Sequence, residues 1–436
     1  MAGDARRESV AARLYRVTAT LPGEPVTPAR TALGDGPAAR AQPARERLVS
    51  LDVFRGITIA GMLLVNNPGT WSAIYPPLEH AEWNGWTPTD LIFPFFLFIV
   101  GITTHLSLTG RRRRGATDRE IVTQILKRGS LIVAVGLLLT GLPYHEFVVH
   151  LPFGAQFDSV TPHLGLGHWR FTGVLQRIGV AYLLGALLTL RTSLKQQIAI
   201  VAALLLGYWA VMTLIPVPGQ GEIGALLLNT KDATLGAWLD RTVFTTNHLW
   251  VGSRTWDPEG ILSTIPAIGT CILGVIAGRW IASDKPLLDR IVALFAVGAM
   301  LMVAGLMWNW VFPINKNLWT SSFVLFTAGM GAVTLATCMW LIDVEHVRWW
   351  TWPFVIFGLN PLAAYVAEGF FSRLIYTLVR VPSGGTMIPI ETAMYEHWFA
   401  SWLPARNASL LFAICYVLLF LGLMWELYRR RIVIKL

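Results

Sequence analysis

Charge is what this chain has least of. Asp, Glu, Lys and Arg together make up 14% of its 436 residues, whereas a soluble globular protein averages about 25%. Stretches long enough to span a membrane carry no charge at all, for example residues 198–217, 260–278 and 318–342. Such runs cross a bilayer as helices and not as barrel strands. The scarcity of charge therefore excludes a soluble protein and predicts an all-α polytopic membrane protein.

Cysteine is nearly as scarce. The chain has three, Cys271, Cys338 and Cys415, and each falls inside a predicted membrane span. Thiols in such positions are more often buried and free than paired or metal-bound. Four histidines crowd one later segment, at positions 145, 150, 163 and 168. Their spacing matches no pattern typical of metal ligands, so no metal site is predicted.

Two further features are missing from the sequence. Residues 1–47 contain no apolar core of a signal peptide, and they are expected to form a disordered, basic, cytoplasmic tail. A transmembrane domain at residues 48–430 and a short basic cytoplasmic tail at residues 431–436 complete the expected organisation. No internal repeat and no pair of broken, glycine-interrupted helices is visible, which weakens the interpretation as an inverted-repeat transporter.

About ten hydrophobic segments, with an eleventh left open, are predicted to form the bundle. They lie near residues 50–68, 89–109, 121–142, 171–191, 196–216, 259–281, 288–311, 318–342, 352–377 and 407–428. Lys and Arg gather in alternate connections, at 111–119, 191–195 and 279–290, and near the C-terminus. Because basic loops stay in the cytoplasm, both termini are predicted to be cytoplasmic. The net charge of +9 reflects this orientation and indicates no nucleic-acid partner.

The predicted topology gathers polar residues at the outer face. The loop EHAEWNGWTPTD, residues 79–90, contains His80, which is its one side chain titrating near neutrality. Amides, carboxylates and cations from six segments are predicted at the same level, namely Asn66, Asn67, Asn84, Asp90, Arg170, Arg177, Asp257, Glu259 and Lys316. Ionisable groups are costly in a membrane and usually face the bundle interior. We therefore expect a polar chamber that opens outward.

Many of the polar residues near the predicted membrane spans also have a simpler structural interpretation. Asp52 and Arg55 are three positions apart in LDVFRG and can form an ion pair at a helix end. Asn66 and Asn67 can cap the same helix. A loop histidine is more often a plain surface residue, and acids such as Glu259 before a helix are common caps. Only the combination at one level points to chemistry.

Six motifs resemble the heparan-α-glucosaminide N-acetyltransferase family. They are RLVSLDVFRG, HAEWNGWTPTDLIFPFFLFIVG, GVLQRIGVAY, WDPEGILSTIPAIGTCILGVIAG, INKNLW and FGLNPLAAYV, in the family's order between residues 47 and 370. The second motif is long and specific, whereas the form of LDVFRG is shared by related membrane acyltransferases. The resemblance implies an integral-membrane acyltransferase that moves an acetyl group from cytosolic acetyl-CoA across the membrane to an amino or hydroxyl group of a sugar or glycan.

By matching motifs, the resemblance also implies a site around His80. His80 takes the position of the family's active-site histidine, and Asn66 or Asn67 that of its asparagine. Asp90 or another carboxylate would orient the imidazole, and an asparagine would hold the developing oxyanion. The residues implied to complete the site and bind acetyl-CoA are Asp52, Arg55, Gln176, Arg177, Glu259, Asn315, Lys316, Asn317 and Asn360.

Several alternatives stay open at this stage. His80 can act as a general base or can itself carry the acetyl group, and the acceptor atom can be nitrogen or oxygen. The rival from another class is a transporter or flippase for a sugar or lipid-linked precursor, and a third function is a non-catalytic relic that binds acyl-CoA or a partner. The expected partners are acetyl-CoA, a glycan acceptor and membrane lipids, with a homodimer undecided. The expected location is a bacterial plasma membrane, with His80 toward the outer face.

Overall fold

Helices dominate the part of the chain that the computed structural model describes, which is residues 48–142, 148–158 and 166–434. In chain order they are α1 Val49–Asn66, α2 Ile92–Arg113, α3 Asp118–Gly141, α4 Val174–Thr189, α5 Leu194–Leu214, α6 Gly224–Leu227, α7 Leu235–Phe244, α8 Ile261–Ile281, α9 Leu287–Trp308, α10 Ser321–Met339, α11 Trp352–Leu359, α12 Pro361–Arg373, α13 Ile390–Tyr395 and α14 Ala405–Arg429. The predicted tail at residues 1–47 lies outside the described residues, as do residues 435–436.

The prediction of a polytopic helical membrane protein is confirmed. Within the described residues, 8 helices are long and apolar enough to cross a bilayer, and α11 with α12 adds another if the pair crosses as one broken span. The apolar helix α4 is shorter, at 16 residues. Each predicted hydrophobic segment therefore corresponds to a helix or a helix pair, with the fourth segment shorter than expected and the ninth broken.

The ninth segment is broken at Asn360, where α11 and α12 meet at an angle of 82°. Pro361 opens α12, and a proline pushes the residue before it out of the helical conformation. Asn360 accordingly has φ −126° and ψ 51°. Its side chain also fixes the C-terminal segment, because Nδ2 donates to Ile432 O at 3.0 Å and Oδ1 accepts from Ile434 N at 2.8 Å. No broken, glycine-interrupted pair was visible in the sequence, and the structure does contain one broken pair, whose break falls at an Asn-Pro step and not at a glycine.

Two glycines let α2 and α8 touch backbone to backbone. A Cβ atom on Gly274 would lie 2.1 Å from Phe98 O, and one on Gly278 would lie 2.8 Å from Ile102 O. Small residues at helix crossings allow this close approach in membrane proteins. The residue numbers of the two contacts increase together along both helices, so α2 and α8 run parallel. The loops that precede these helices therefore lie at the same side of the bundle, as the predicted topology requires.

A small antiparallel sheet, which the sequence did not reveal, joins two distant connections. Its strands are β1 Val148–His150, β2 Gln156–Asp158, β3 Val379–Ser383 and β4 Thr386–Pro389, in the order β1-β2-β3-β4. β2 pairs with β3 through Gln156 opposite Arg380. The predicted topology puts both connections on the outer face, and their pairing requires that they share one face.

The thiols divide into two environments. All three are free, with Cys271 in α8 and Cys338 in α10 buried, but Cys415 in α14 exposed. The expectation of a buried thiol is wrong for Cys415. The physical reason is that α14 leaves one apolar face uncovered, where Leu418 and Leu419 are exposed as well.

Candidate functional site

The loop EHAEWNGWTPTD folds around the carboxylate of Asp90. Asp90 Oδ2 accepts hydrogen bonds from Ala81 N and Thr87 N at 3.0 Å each, and from Thr87 Oγ1 at 3.2 Å. Thr87 and Asp90 form a reciprocal capping box at the short helix Pro88–Leu91, which begins with proline. Both features are typical of helix starts. The TPTD sequence is thus a helix start that locks a carboxylate which is 1% exposed.

The other oxygen of this carboxylate faces the histidine. His80 Nδ1 lies 2.7 Å from Asp90 Oδ1. Lys316 Nζ lies 3.0 Å from His80 Nδ1, 3.1 Å from His80 Nε2 and 3.6 Å from Asp90 Oδ1. The His80 side chain is 41% exposed, whereas that of Asp90 is 1% exposed. We call His80, Asp90 and Lys316 the histidine cluster, in which an accessible imidazole is held against a fixed carboxylate.

A second loop, residues 313–320, brings Lys316 to the imidazole. Asn315 Nδ2 donates to Asn84 Oδ1 at 3.1 Å and so ties this loop to the histidine loop. Asn315 is fully buried, while Asn317 is half-buried beside Lys316. Of the three polar residues in INKN, Lys316 therefore reaches the histidine and Asn315 holds the two loops together.

Lys316 is a second titratable group beside His80. Burial lowers the pKa of Lys316, and the positive charge of Arg177 adds to this effect. The carboxylates of Asp90 and Glu259 oppose the shift without cancelling it. Desolvation disfavours a buried ammonium, so Lys316 releases its proton more readily than an exposed lysine does.

A second charged cluster lies just before α8. Arg170 forms a bidentate pair with Asp257, with Nε–Oδ2 at 2.9 Å and Nη2–Oδ1 at 2.5 Å, and its Nη2 lies 2.5 Å from Glu259 Oε2. Thr172 Oγ1 donates to Asp257 Oδ2 at 2.6 Å. Burial opposes both charges, but their attraction outweighs it, so the pKa of Arg170 is raised and that of Asp257 is lowered. These acids belong to a buried, charge-assisted network and are more than helix caps.

The helix cap of α8 comes from another carboxylate. Asp240 of α7 accepts a hydrogen bond from Ile261 N at 2.9 Å. Burial raises the pKa of Asp240 to about 7, against the effect of this hydrogen bond. Asp257 and Asp240 are thus both buried, but only Asp257 has a bidentate guanidinium partner among the described residues.

Arg177 is a buried cation that the protein satisfies only in part. It lies inside α4 and is 2% exposed. Its Nη2 donates to Ser263 Oγ, and its guanidinium carbon lies 5.0 Å from the centre of the Trp319 ring. Its Nε and Nη1 have no hydrogen-bond partner among the described residues. Because buried donors are normally satisfied, these two nitrogens are available to an oxygen atom of a ligand. The arginine cluster comprises Arg170, Arg177, Asp257 and Glu259.

Other residues implied to bind acetyl-CoA lie at the opposite end of α1. Arg55 Nη1 donates to Asp52 Oδ1 at 3.2 Å and to Gly358 O at 2.8 Å, close to the bend at Asn360. Asp52 precedes Asn66 by about 21 Å along a helix axis. We call Asp52, Arg55 and Asn360 the Asp52 group. The Asn360 amide bonds to the C-terminal segment through both Nδ2 and Oδ1, so the structure gives it a role in holding that segment, and its implied contact with acetyl-CoA stays a prediction.

Gln176 has a packing role in the structure. Its Nε2 donates to Thr140 Oγ1 at 3.3 Å, which joins α4 to α3. Its side-chain oxygen fills the space beside Gly136, because a Cβ atom on Gly136 would lie 2.5 Å from Gln176 Oε1. The structure thus places Gln176 between two helices, while its neighbour Arg177 keeps available donors.

The two asparagines at the end of α1 differ sharply. Asn66 is exposed, whereas Asn67 is fully buried, with Nδ2 donating to Leu63 O at 3.0 Å and to Glu368 Oε1 at 3.2 Å. Both amide hydrogens of Asn67 are thereby used, so it cannot donate to an oxyanion as expected. Its Oδ1 has no partner among the described residues. Glu368 was not predicted, although a lone acid in the apolar run 352–377 was a signal for it.

Electrostatics links these clusters. Lys316 lies within electrostatic range of Glu259 and Arg177. Tyr365 of α12 lies within range of Glu259 and of Glu368. The histidine cluster and the arginine cluster are therefore close enough to influence each other's charges. In the described ranges no group of three or more His, Cys, Asp or Glu side chains could hold a metal ion, while His145 and His163 lie outside those ranges.

Comparisons with known proteins agree on one family. Residues 47–293 match the family model described as heparan-alpha-glucosaminide N-acetyltransferase, catalytic. The human heparan-alpha-glucosaminide N-acetyltransferase is 31% identical over 374 residues, which cover 75% of this chain and 53% of the human protein. The mouse protein of the same name is 29% identical over 372 residues, covering 74% and 53%. The chain spans about half the length of the curated relatives it matches. It belongs to the heparan-alpha-glucosaminide N-acetyltransferase family of membrane acetyltransferases.

Proposed function

We propose that this protein moves an acetyl group from cytosolic acetyl-CoA across the membrane to an amino or hydroxyl group of a sugar or glycan on the outer face. Family membership supports acetyl transfer to a glucosamine in general terms. The observation that carries the proposal is an accessible His80 imidazole 2.7 Å from the Asp90 carboxylate, which backbone and hydroxyl donors hold in place. This is the arrangement of a general base and its orienting group.

His80 acts as the general base. When its Nδ1–H donates to Asp90, Nε2 carries the lone pair. Nε2 removes the proton from the acceptor while the acceptor nitrogen or oxygen bonds to the thioester carbonyl carbon. The carbon–sulfur bond then breaks, and the imidazolium returns the proton to the departing CoA thiolate. The products are the acetylated sugar and CoA, with His80 back in its starting state.

Lys316 and Arg177 bind the carbonyl oxygen of the donor. Lys316 Nζ lies 3.1 Å from His80 Nε2, so it turns away when the acceptor occupies that position. Its ammonium and the unpartnered Nε and Nη1 of Arg177 then stabilise the negative charge that develops on oxygen. One such donor typically contributes about 10²–10³ in rate. These cations take the oxyanion role that the resemblance gave to an asparagine.

The donor approaches from the other end of α1. Arg55 offers a guanidinium for a CoA phosphate, and Asp52 holds that guanidinium in place. The bonds from Asn360 keep the C-terminal segment beside it. The two ends of α1 are about 21 Å apart. The pantetheine arm spans this distance and carries the thioester to His80.

A covalent path starts from the same geometry. His80 Nε2 would attack the thioester carbonyl, the CoA thiolate would leave, and the acceptor would then take the acetyl group from the imidazole. A rapid quench after mixing with acetyl-labelled acetyl-CoA, without acceptor, separates the two paths. Label retained on wild type but not on His80→Gln establishes the covalent path, and unlabelled protein that still transfers acetyl to sugar establishes direct transfer.

The test of the proposed function is acetyl transfer in liposomes. Purified protein is reconstituted with acetyl-labelled acetyl-CoA and a glucosamine-type acceptor, and wild type is compared with His80→Ala. We expect labelled sugar from wild type and at least a 10³-fold lower rate from the variant. Equal transfer by both would remove His80 from the mechanism, and a wild type that neither binds nor consumes acetyl-CoA would defeat the acetyltransferase proposal.

The broken helix pair favours one rival function. Discontinuous helices and buried charges are also typical of transporters, and α11 and α12 form such a pair. The rival predicts counterflow of labelled sugar in liposomes without CoA. The acetyltransferase predicts no counterflow, and CoA binding without turnover would indicate a relic.

A further inference from the structure

We infer that Glu368 is a positioning residue that fixes the Asn67 amide so that Asn67 Oδ1 accepts a hydrogen bond from a substrate. The inference rests on the proposed acetyl transfer and adds a residue that none of the functional assignments above contains. It also reverses the role expected for Asn67, from a donor to an oxyanion to an acceptor of an N–H or O–H.

The orientation of the amide follows from the chemistry of its neighbours. One end of the Asn67 side chain lies 3.0 Å from Leu63 O and 3.2 Å from Glu368 Oε1. A backbone carbonyl can only accept, so this end is the NH₂ group. The opposite end is therefore the carbonyl oxygen. It is buried without a partner among the described residues.

A helix cap explains only part of this arrangement. The bond to Leu63 O satisfies a carbonyl in the last turn of α1, as a capping residue does. The bond to Glu368 spans 301 positions in the chain, and a cap does not need it. Glu368 is 7% exposed, and its carboxylate accepts the hydrogen bond from Asn67 without an ion-pair partner in the part of the chain that the structure describes. A buried acid is costly in a membrane and is usually functional.

The buried oxygen is placed to meet a substrate. Asn67 follows the last residue of α1, and the turn Pro88–Leu91 that carries Asp90 contacts α1. Buried acceptors are normally satisfied, and the unsatisfied one here lies at the end of α1, the helix that the Asp90 turn contacts. Two groups have the chemistry to fill it: the amine or hydroxyl of the acceptor sugar, and an amide N–H of the pantetheine arm.

A double-mutant cycle tests the inference. Acetyl transfer is measured for wild type, Asn67→Ala, Glu368→Leu, Glu368→Gln and the double variant Asn67→Ala/Glu368→Leu. We expect Glu368→Leu to lower kcat/KM by about tenfold or more, and Glu368→Gln, whose oxygen still accepts from Asn67, to stay within about threefold. With Asn67 already replaced, Glu368→Leu should change kcat/KM by less than about twofold, because its effect passes through Asn67.

The KM values identify the bound group. A KM increase for the sugar alone assigns the Asn67 oxygen to the acceptor, and an increase for acetyl-CoA alone assigns it to the pantetheine amide. The matched control is Glu391→Leu, which removes another buried acid, 6% exposed and bonded to Thr392. This control should leave both KM values unchanged. Thermal unfolding and size-exclusion profiles confirm that each variant is folded.

Two outcomes would overturn the inference. The first is an effect of Glu368→Leu that is undiminished when Asn67 is already Ala. The second is a Glu368→Gln variant as impaired as Glu368→Leu. If wild type binds both substrates but transfers no acetyl group, the proposed function fails by itself. In that case the Kd values of the sugar and of acetyl-CoA are measured for the same variants. Glu368→Leu is again expected to have less effect when Asn67 is already Ala.

Discussion

The two ends of α1 carry polar residues of the same kinds and differ in what is left unbonded. At the Asp52 group, Arg55 is bonded to Asp52 and Gly358, and both ends of the Asn360 amide are bonded to the C-terminal backbone. At the other end, the Asn67 oxygen and two Arg177 nitrogens are buried without a partner among the described residues. Ser50 Oγ, beside the Asp52 group, also lacks a partner among the described residues. The two ends therefore differ in the kind of group that is left unbonded, which is a hydroxyl near Asp52 and an amide oxygen with two guanidinium nitrogens at the other end.

The largest effect is expected from Asp90→Asn. The change keeps the shape but removes the acceptor that holds the Nδ1–H tautomer of His80, which costs about 10³–10⁴ in kcat in comparable dyads. Initial rates of acetyl transfer measure it. The control is Glu82→Gln in the same loop, whose side chain is 94% exposed and which should transfer at the wild-type rate. An Asp90→Asn enzyme with wild-type kcat would contradict the assignment of Asp90 as the orienting group.

Arg177→Leu sharpens the comparison between the two ends. We expect kcat/KM to fall by about 10²-fold, because the variant lacks the donors proposed for the carbonyl oxygen. Thermal stability should hold or rise, since an apolar residue replaces a cation that is only partly satisfied. The control is Arg191→Leu, an exposed arginine that pairs with Asp118 and should leave kcat/KM unchanged. Loss of folding without loss of specific activity would make Arg177 a structural residue.

Asp240 allows a test by pH. The pKa of Asp240 is raised by burial from its ordinary 3.8 to about 7, so its stabilising contribution is present below the ordinary value and is lost as pH rises through about 7. Wild type should therefore lose stability relative to Asp240→Asn between these values, by at most about 1.4 kcal/mol per pH unit. Denaturant unfolding at several pH values measures it, and a pH-independent difference would refute the assigned shift.

The smallest effect on activity is expected at Asn360. Asn360→Leu leaves Ile432 O and Ile434 N without their side-chain partner, which should cost about 1–3 kcal/mol of stability. The rate per folded molecule should stay within about twofold. Thermal melts and transfer assays on the same preparation separate the two effects. Full stability with a raised KM for acetyl-CoA would instead indicate that Asn360 contributes to acetyl-CoA binding.

Sequence patterns predicted the local features of this molecule well. Charge-free runs predicted the membrane helices, and TPTD already contained the capping box that fixes Asp90. The Asn-Pro step in FGLNP is a signal for the break in the ninth segment. Glu368 is the one acid in the apolar run 352–377, but no sequence pattern assigned it a role.

Contacts between distant residues could not be predicted. The orientation of the Asn67 amide depends on a carboxylate 301 positions away. The approach of Lys316 to His80 spans 236 positions, and the sheet pairs short strands from two separate connections. No pattern within one segment encodes such contacts, since each depends on how the helices pack.

The most direct measurement is an experimental structure with acetyl-CoA bound. The account predicts that the thioester carbonyl oxygen lies within hydrogen-bond distance of Arg177 Nε or Nη1, with the acetyl carbon on the Nε2 side of His80 and the CoA phosphates near Arg55. A bound donor whose acetyl group lies at the Asp52 group, with the Arg177 nitrogens still unpartnered, would contradict it.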